Sequence, residues 1–370
     1  MNFGGRERTT ILKHWRHLLI CGIIVVFIPI LLLQVLPKVR ATSSGTWQQY
    51  TYNGPAGSRP YFVYTPANYQ VGRAAPMIVM LHGCAQTPAD FATSTQMDQL
   101  ADQKQFIVVY PQETRTYNQE ACWNWFDSTD QSRGSGEPAI IAGMVQAVEQ
   151  TTSQWTIDTH HVYVAGFSAG AAMSVILGAT YPDIFAAISV QSGLEYKAAT
   201  TSNDGFTALR QGGPDPTQQG QIAYNAMGSA ARVVPTISFH GKSDYLVYPV
   251  NGDQVVQQWM QTDHLASKNT YNASFTSPTS TTNGQVPGGR SYTVYTWNDS
   301  KGNEVQEYWV VNGMGHAWSG GSDSGSFTDS QGPSATQAIY HFFMSHPAGP
   351  IVSAGSSDFP LPPGKRCSNM

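Results

Sequence analysis

The sequence predicts an α/β architecture, a mostly parallel central sheet flanked by helices on both faces. Three observations predict it. Short β-branched or aromatic runs alternate with longer stretches of helical spacing from Tyr61 to His346. Several of the short runs, such as Pro76-Met-Ile-Val-Met-Leu81, hold no charge, as expected of strands buried on both faces. One run, His161–Ala165, passes through a glycine-flanked turn into a helix of small residues.

In chain order, Arg6, Arg8, Lys13 and Arg16 precede an uncharged apolar run from Leu18 to Leu36, after which come Lys38 and Arg40. A basic head followed by an apolar run marks a segment handled by the export machinery. The run is 19 residues long, beyond a usual cleavable signal and close to the ~20 that span a bilayer. Val39-Arg40-Ala41 offers a small-residue cleavage site, so residues 1–41 are read as an export signal or a membrane anchor, with both left open. The larger basic cluster before the run puts the N-terminus in the cytoplasm and the body outside, with membrane attachment possible through residues 18–36. Cys21 falls inside the apolar run and is read as a membrane-buried thiol.

Residues 42–348 are the expected catalytic domain. Residues 42–60 are a Ser/Thr/Gly-rich spacer with room for one edge strand. Strands are then expected at Tyr61–Tyr64, Met77–Leu81, Phe106–Tyr110, Val162–Ala165, Ala187–Gln191, Thr236–His240, Tyr292–Trp297 and Glu307–Val311. Helices are expected at Ala139–Trp155, Ala169–Thr180, Gly252–Thr262 and Ser334–His346. Residues 268–291, rich in Ser, Thr, Asn and Gly, read as a low-complexity insertion before a hairpin-like pair of strands. The Pro/Gly-rich tail from Gly349 to Met370 reads as disordered. No internal repeat or second module stands out.

Beyond residue 41 the chain holds 14 basic and 23 acidic residues, a net charge of about −9. Such a surface repels nucleic acid, which excludes that class of partner. Cys84, Cys122 and Cys367 remain, and an oxidising compartment permits a disulfide with one thiol left over. Cys367 sits in the Pro/Gly-rich tail, so the expected pair is Cys84–Cys122, with three independent thiols as the alternative.

The chemistry begins at Gly166-Phe-Ser-Ala-Gly170, lying between the strand His161–Ala165 and the helix opened by Ala171-Ala-Met-Ser. Strand, sharp turn and helix form the context of a nucleophile elbow. The small residues at 166 and 170 let strand and helix approach, and the turn lifts the Ser168 hydroxyl towards the positive end of the helix dipole. A serine hydroxyl needs a base to take its proton and an acid to fix that base's tautomer. Chain order in such sites places both after the serine. His316 sits in the glycine-rich loop Gly313-Met-Gly-His-Ala-Trp-Ser-Gly-Gly321, directly after a strand, where such sheets build their sites. His264, His341 and His346 lie on or beside helices and suit surface or capping roles. Asp244 follows the strand Thr236–His240 through the turn Gly241-Lys-Ser; its competing role is to cap the next segment. Asp183, after the nucleophile helix, and Asp215, in a proline-flanked loop, lack a preceding strand. His240 reads as a packed strand-end residue.

The developing oxyanion needs backbone donors. The expected ones are the N–H of Ala169, at the helix start, and that of Cys84, in Leu81-His-Gly-Cys-Ala-Gln86. A Cys84–Cys122 disulfide would stiffen that loop. His82 reads as a structural hydrogen-bonding residue. Core packing is the ordinary fate of tryptophans, yet Trp123 and Trp125 adjoin Cys122 and Trp318 adjoins His316. They are therefore expected to line an apolar substrate cleft. No residues have metal-ligand spacing and no glycine-rich phosphate loop occurs, so neither metal nor cofactor is expected.

At these motifs the chain resembles the secreted poly(3-hydroxybutyrate) depolymerase family of serine esterases, related to secreted feruloyl and acetylxylan esterases. The matching segments are Leu81-HGCAQ, CWNWF followed by RGSGEPAIIAGMV, GFSAGAAMS, the HGKSD loop with Tyr248-Pro-Val-Asn-Gly252, and GMGHAWSGG, across roughly residues 50–347. The resemblance implies an α/β-hydrolase fold, the triad Ser168, Asp244 and His316, and oxyanion amides at Cys84 and Ala169. It also implies hydrolysis of short-chain polyhydroxyalkanoate polyesters or oligomers; the exported catalytic domain is expected to be monomeric. Feruloyl or acetyl groups on plant polysaccharide are the second substrate class. A serine peptidase and a non-catalytic surface binding protein are the remaining alternatives, the last opposed by the intact serine, acid and base. Turnover should fall in acid as His316 takes up a proton.

Overall fold

The computed structural model describes residues 44–348. The expectations for residues 1–41, including Cys21 and the apolar run 18–36, and for the tail 349–370 with Cys367 lie outside the described residues. Among the described residues no helix is long and apolar enough to cross a membrane.

The chain opens with a hairpin, β1 (Thr46–Gly54) and β2 (Gly57–Thr65), then runs through β3 (Ala75–Leu81), α1 (Pro88–Thr95), α2 (Met97–Lys104) and β4 (Ile107–Pro111). Next come α3 (Gly136–Gln150), β5 (Ile157–Phe167), α4 (Ala169–Thr180), β6 (Ile188–Gln191), α5 (Ser202–Gln211), α6 (Pro216–Met227) and β7 (Thr236–Gly241). The last third holds α7 (Val250–Ala266), β8 (Ser280–Gln285), β9 (Ser291–Asn298), β10 (Glu304–Val311), the short β11 (Trp318–Ser319) and β12 (Thr328–Asp329), and α8 (Ala335–Ser345). All eight expected strands form, with β1, β8 and the two-residue β11 and β12 in addition. The expected spacer at 42–60 is mostly the β1–β2 hairpin, and the low-complexity stretch 268–291 contains β8, paired antiparallel with β9.

One ten-stranded sheet runs β1-β2-β4-β3-β5-β6-β7-β10-β9-β8. Its middle six strands, β4 to β10, pair in parallel, and antiparallel hairpins close both ends. The uncharged strands earn their composition by burying both faces. In β3, Met77, Val79 and Leu81 enter the core shared with α3, α4 and α7, while Ile78 and Met80 enter the core beneath α1, α2 and α8. All five are inaccessible to solvent.

Parallel pairing sends the ends of β3, β5, β6, β7 and β10 out on one side, where the loops carrying His82, Ser168, Ser192, Asp244 and His316 gather. His82, just past β3, is buried. Its Nδ1 donates to the Gly83 carbonyl (2.8 Å), and its Nε2 accepts from the Glu113 N–H (3.0 Å). Burial pushes this imidazole down to about 4, so it stays neutral in the folded chain but gains a proton on unfolding in mild acid. Its stability contribution is therefore complete above the unfolded value and is lost as pH falls towards the folded one. We predict that His82 alone costs about 3 kcal/mol of stability between about pH 7 and pH 4. Urea unfolding of His82→Gln at both pH values should show a loss smaller by about that amount; equal losses in the two proteins would contradict the assignment.

Candidate active site

The elbow is built from backbone crowding. Ser168, between β5 and α4, sits at φ 55° and ψ −119°, a conformation that costs a non-glycine residue on the order of 1–3 kcal/mol. Its N–H donates to Gln191 O at the end of β6 (2.9 Å). A Cβ at position 166 would lie 2.1 Å from Gly170 O, and one at 170 would lie 2.2 Å from Leu81 O. Both flanking glycines are therefore required by close approach, the first of strand to helix and the second of helix to the β3 loop.

The loops bearing Asp244 and His316 are stitched to each other. Lys242 N–H donates to Val311 O and Ser243 N–H to Met314 O, both at 2.9 Å. Gln191 Nε2 donates to Ala317 O (3.0 Å), fastening the base loop to β6. In this setting His316 Nδ1 lies 2.8 Å from Asp244 Oδ2, and His316 Nε2 lies 2.8 Å from Ser168 Oγ. With the aspartate ionised, Nδ1 carries the ring proton and donates it, which leaves Nε2 to accept from the serine hydroxyl.

Asp244 makes the contacts of both roles weighed for it, one set on each oxygen. Oδ1 accepts from the Leu246 and Val247 N–H groups (3.0 and 2.9 Å), capping the turn, while Oδ2 faces His316. Burial pushes its carboxyl up, but the hydrogen bond and charge of His316, with smaller help from His240 and the Val247 amide, outweigh this and hold it below the usual carboxylate range. His240 is a packed strand-end residue, as its position suggested. Its Nε2 donates to Val247 O (2.9 Å) and stands 3.7 Å from Asp244 Oδ2. Burial pushes its imidazole down, so it supports the aspartate as a neutral dipole. Of the rival acids, Asp183 pairs with Arg133 and Asp215 caps α6; neither approaches the serine through a hydrogen bond.

The loop after β3 packs on the elbow: a Cβ on Gly83 would meet the Phe167 ring at 2.8 Å. Within it the Gly83 N–H donates to Gln86 Oε1 (2.9 Å), Ala85 N–H to Glu120 O (2.8 Å) and Gln86 N–H to Gly83 O (3.3 Å). The Cys84 N–H has no acceptor among the described residues. The Ala169 N–H, at the first turn of α4, is likewise left over, as helix starts leave their first donors. A disulfide joins Cys84 to Cys122. The far end of that bridge is held in turn: the Glu137 carboxylate accepts from both the Asn124 N–H (2.7 Å) and Nδ2 (2.6 Å), and Arg59 Nε binds Glu113 (2.6 Å) beside it. Nothing in the spacing of Arg59, Glu113 and Glu137 announces this buried cluster.

The tryptophan expectation is corrected. Trp123 is fully buried and donates its indole N–H to His82 O (3.1 Å). Trp318 lies in the core on the other face of the sheet, edge-on to Phe91 at 5.5 Å, with its N–H on Thr336 Oγ1 (3.0 Å). Trp125 is 6% exposed and packs edge-on against Phe126. Trp123 and Trp318 gain more from a packed interior with the polar edge satisfied than from a wet cleft. Two apolar rings stand beside His316 instead, the buried Phe167 at 4.8 Å and the exposed Phe327 at 6.4 Å; sequence reasoning missed Phe327. Among the described residues no group of His, Cys, Asp and Glu could hold a metal ion.

Residues 59–274 match the family described as Esterase PHB depolymerase. A poly(3-hydroxyalkanoate) depolymerase C of Paucimonas lemoignei is 34% identical over 291 residues, which cover 77% of this chain and 66% of the relative. A probable acetylxylan esterase A of Neosartorya fischeri is 33% identical over 234 residues, 60% of each chain. The chain thus spans about two thirds or less of the length of these curated relatives. Among solved structures, an acetyl xylan esterase from Aspergillus awamori superposes with a TM-score of 0.62 at 23% identity, over 81% of this chain and 100% of that one; this likeness shows a shared α/β-hydrolase fold. The match over more than half of its length places the chain in the Esterase PHB depolymerase family.

Proposed function

We propose that the protein hydrolyses carboxylic esters, with Ser168 as nucleophile, His316 as general base and Asp244 as its orienting acid. The observation that carries this reading is the pair of 2.8 Å contacts placing His316 between the other two. Ser168 Oγ attacks the ester carbonyl as its proton passes to His316 Nε2, and the unengaged amides of Cys84 and Ala169 receive the oxyanion. The imidazolium, steadied by Asp244, then protonates the leaving alcohol. Water repeats the sequence on the acyl-enzyme and releases the acid.

Short-chain polyhydroxyalkanoate polyesters or their oligomers are the leading substrate class, supported by the motif set and the depolymerase relative. Acetyl or feruloyl groups on plant polysaccharide are the second, supported by the acetylxylan esterase relative. The basic head and the apolar run from Leu18 to Leu36 support export of the body to the extracellular side.

Ser168→Ala should lower kcat for p-nitrophenyl butyrate by about six orders of magnitude with an unchanged circular dichroism spectrum. Asp244→Asn should lower it by about four orders, because an amide no longer fixes the Nδ1–H tautomer. Either variant turning over within tenfold of wild type would reject the assigned role. Release of acid from a polyhydroxybutyrate film, acetylated xylan and methyl ferulate, measured side by side at equal enzyme, should be fastest on the polyester. A faster rate on either of the others would reassign the substrate class.

A further inference from the structure

The loop after His316 holds a strained aromatic residue. Phe327 has φ 51°, a region that bulky side chains avoid, although its ring remains 43% exposed. Burial therefore does not explain the conformation. The surrounding structure imposes it from both sides. Ser326 donates its N–H to Asp90 Oδ1 (3.2 Å) and its hydroxyl to the same carboxylate, while Ser326 O accepts from Ser94 Oγ (3.0 Å) and Gln86 Nε2 (3.3 Å). On the other side Phe327 O accepts from the Trp318 N–H (2.7 Å). The glycines of the loop allow this seat on α1: a Cβ at 325 or 321 would collide with Ser94, at 2.3 and 2.6 Å. Gln86 also holds the Gly83 N–H, so a single side chain ties the Phe327 loop to the loop carrying the Cys84 amide.

All of this fastening sets one ring beside the imidazole. The Phe327 centroid lies 6.4 Å from that of His316, edge-on, and 6.2 Å from that of Phe167, whose ring covers another side of His316 at 4.8 Å. Strain maintained at an exposed position next to reactive groups points to a role in function. In ester cleavage the leaving oxygen must come within reach of His316 Nε2 to collect its proton. A half-exposed ring flanking that imidazole therefore borders the alcohol half of the ester.

We infer that Phe327 is a specificity-determining residue that forms the apolar wall of an alcohol-side subsite and selects esters whose alcohol carries an alkyl chain or branch. This rests on the ester-hydrolase reading of Ser168, Asp244 and His316. The test compares kcat/KM for butyl against methyl butyrate, which varies the alcohol, and for methyl hexanoate against methyl butyrate, which varies the acid. In Phe327→Ala and Phe327→Gly the butyl-over-methyl preference should fall about tenfold, chiefly through KM, as loss of an apolar wall predicts. The hexanoate-to-butyrate ratio should move by less than about twofold. An unmoved alcohol ratio, or alcohol and acid ratios falling together, overturns the inference. Thermal melting supplies a second readout: glycine relieves the backbone strain and alanine does not, so Phe327→Gly should melt at or above Phe327→Ala. The reverse order overturns the strain argument. Labelling wild type with a fluorophosphonate separates the two levels. No adduct on Ser168 sinks the ester-hydrolase reading itself, whereas an adduct with an unmoved alcohol ratio sinks only the role of Phe327.

Discussion

An alcohol as weakly acidic as serine becomes a nucleophile only where a base is held against it, and the base that meets Ser168 in this chain is the imidazole of His316. The residue comes 148 positions after Ser168 and 72 after Asp244, so no local preference of the backbone could bring the three together. What does so is the parallel register of β5, β7 and β10, whose carboxyl ends open on the same side of the sheet. The proposed chemistry is inherited from sheet topology, with the loops supplying the final ångströms.

Those final ångströms are set by backbone contacts more than by side chains. Gly241 lets its loop pass against the carbonyls of Met314 and Gly315, where a Cβ would come within 2.3 and 2.6 Å of their oxygens. Gln191, at the end of β6, holds two loops at once: its carbonyl takes the Ser168 N–H and its amide reaches Ala317 O, in the loop after β10. The loops of His316 and Ser168 are thus referred to one strand end. Such shared support matters because a catalytic hydrogen bond tolerates little displacement. The disulfide and the Arg59–Glu113–Glu137 cluster do the same on the other flank, holding the Cys122 segment and, through it, the loop whose Cys84 amide faces no acceptor.

Much of this could be read in the sequence, and the parts that could not have physical reasons. Ser168, Asp244 and His316 could be singled out as candidates because each follows a strand through a glycine-bearing turn, a pattern that fixes position as well as residue type. β8 was not, since Ser280–Gln285 lies mostly in solvent on the sheet edge and carries no apolar alternation. α1 and α2 have eight residues each, too few for helical spacing to emerge. Asp215-Pro216 did contain a legible signal, an N-cap followed by proline in the first turn of α6, which a search for catalytic acids passed over. The tryptophans misled because nearness in sequence to Cys122 and His316 says nothing about which way a ring turns. Trp318, two residues past His316, points through to the opposite core. Phe327 escaped notice for the converse reason: only the folded Ser/Gly loop returns it to the imidazole.

In the proposed mechanism hydroxyl, imidazole, carboxylate and two amides form one reaction centre. The most direct test is a crystal structure of the protein after reaction with diethyl p-nitrophenyl phosphate, a mimic of the tetrahedral intermediate. Phosphorus should be bonded to Ser168 Oγ, with the phosphoryl oxygen about 3 Å from both the Cys84 and Ala169 nitrogens and the His316–Asp244 hydrogen bond intact. Phosphorus on any other residue, or a phosphoryl oxygen turned away from both amides, would contradict it.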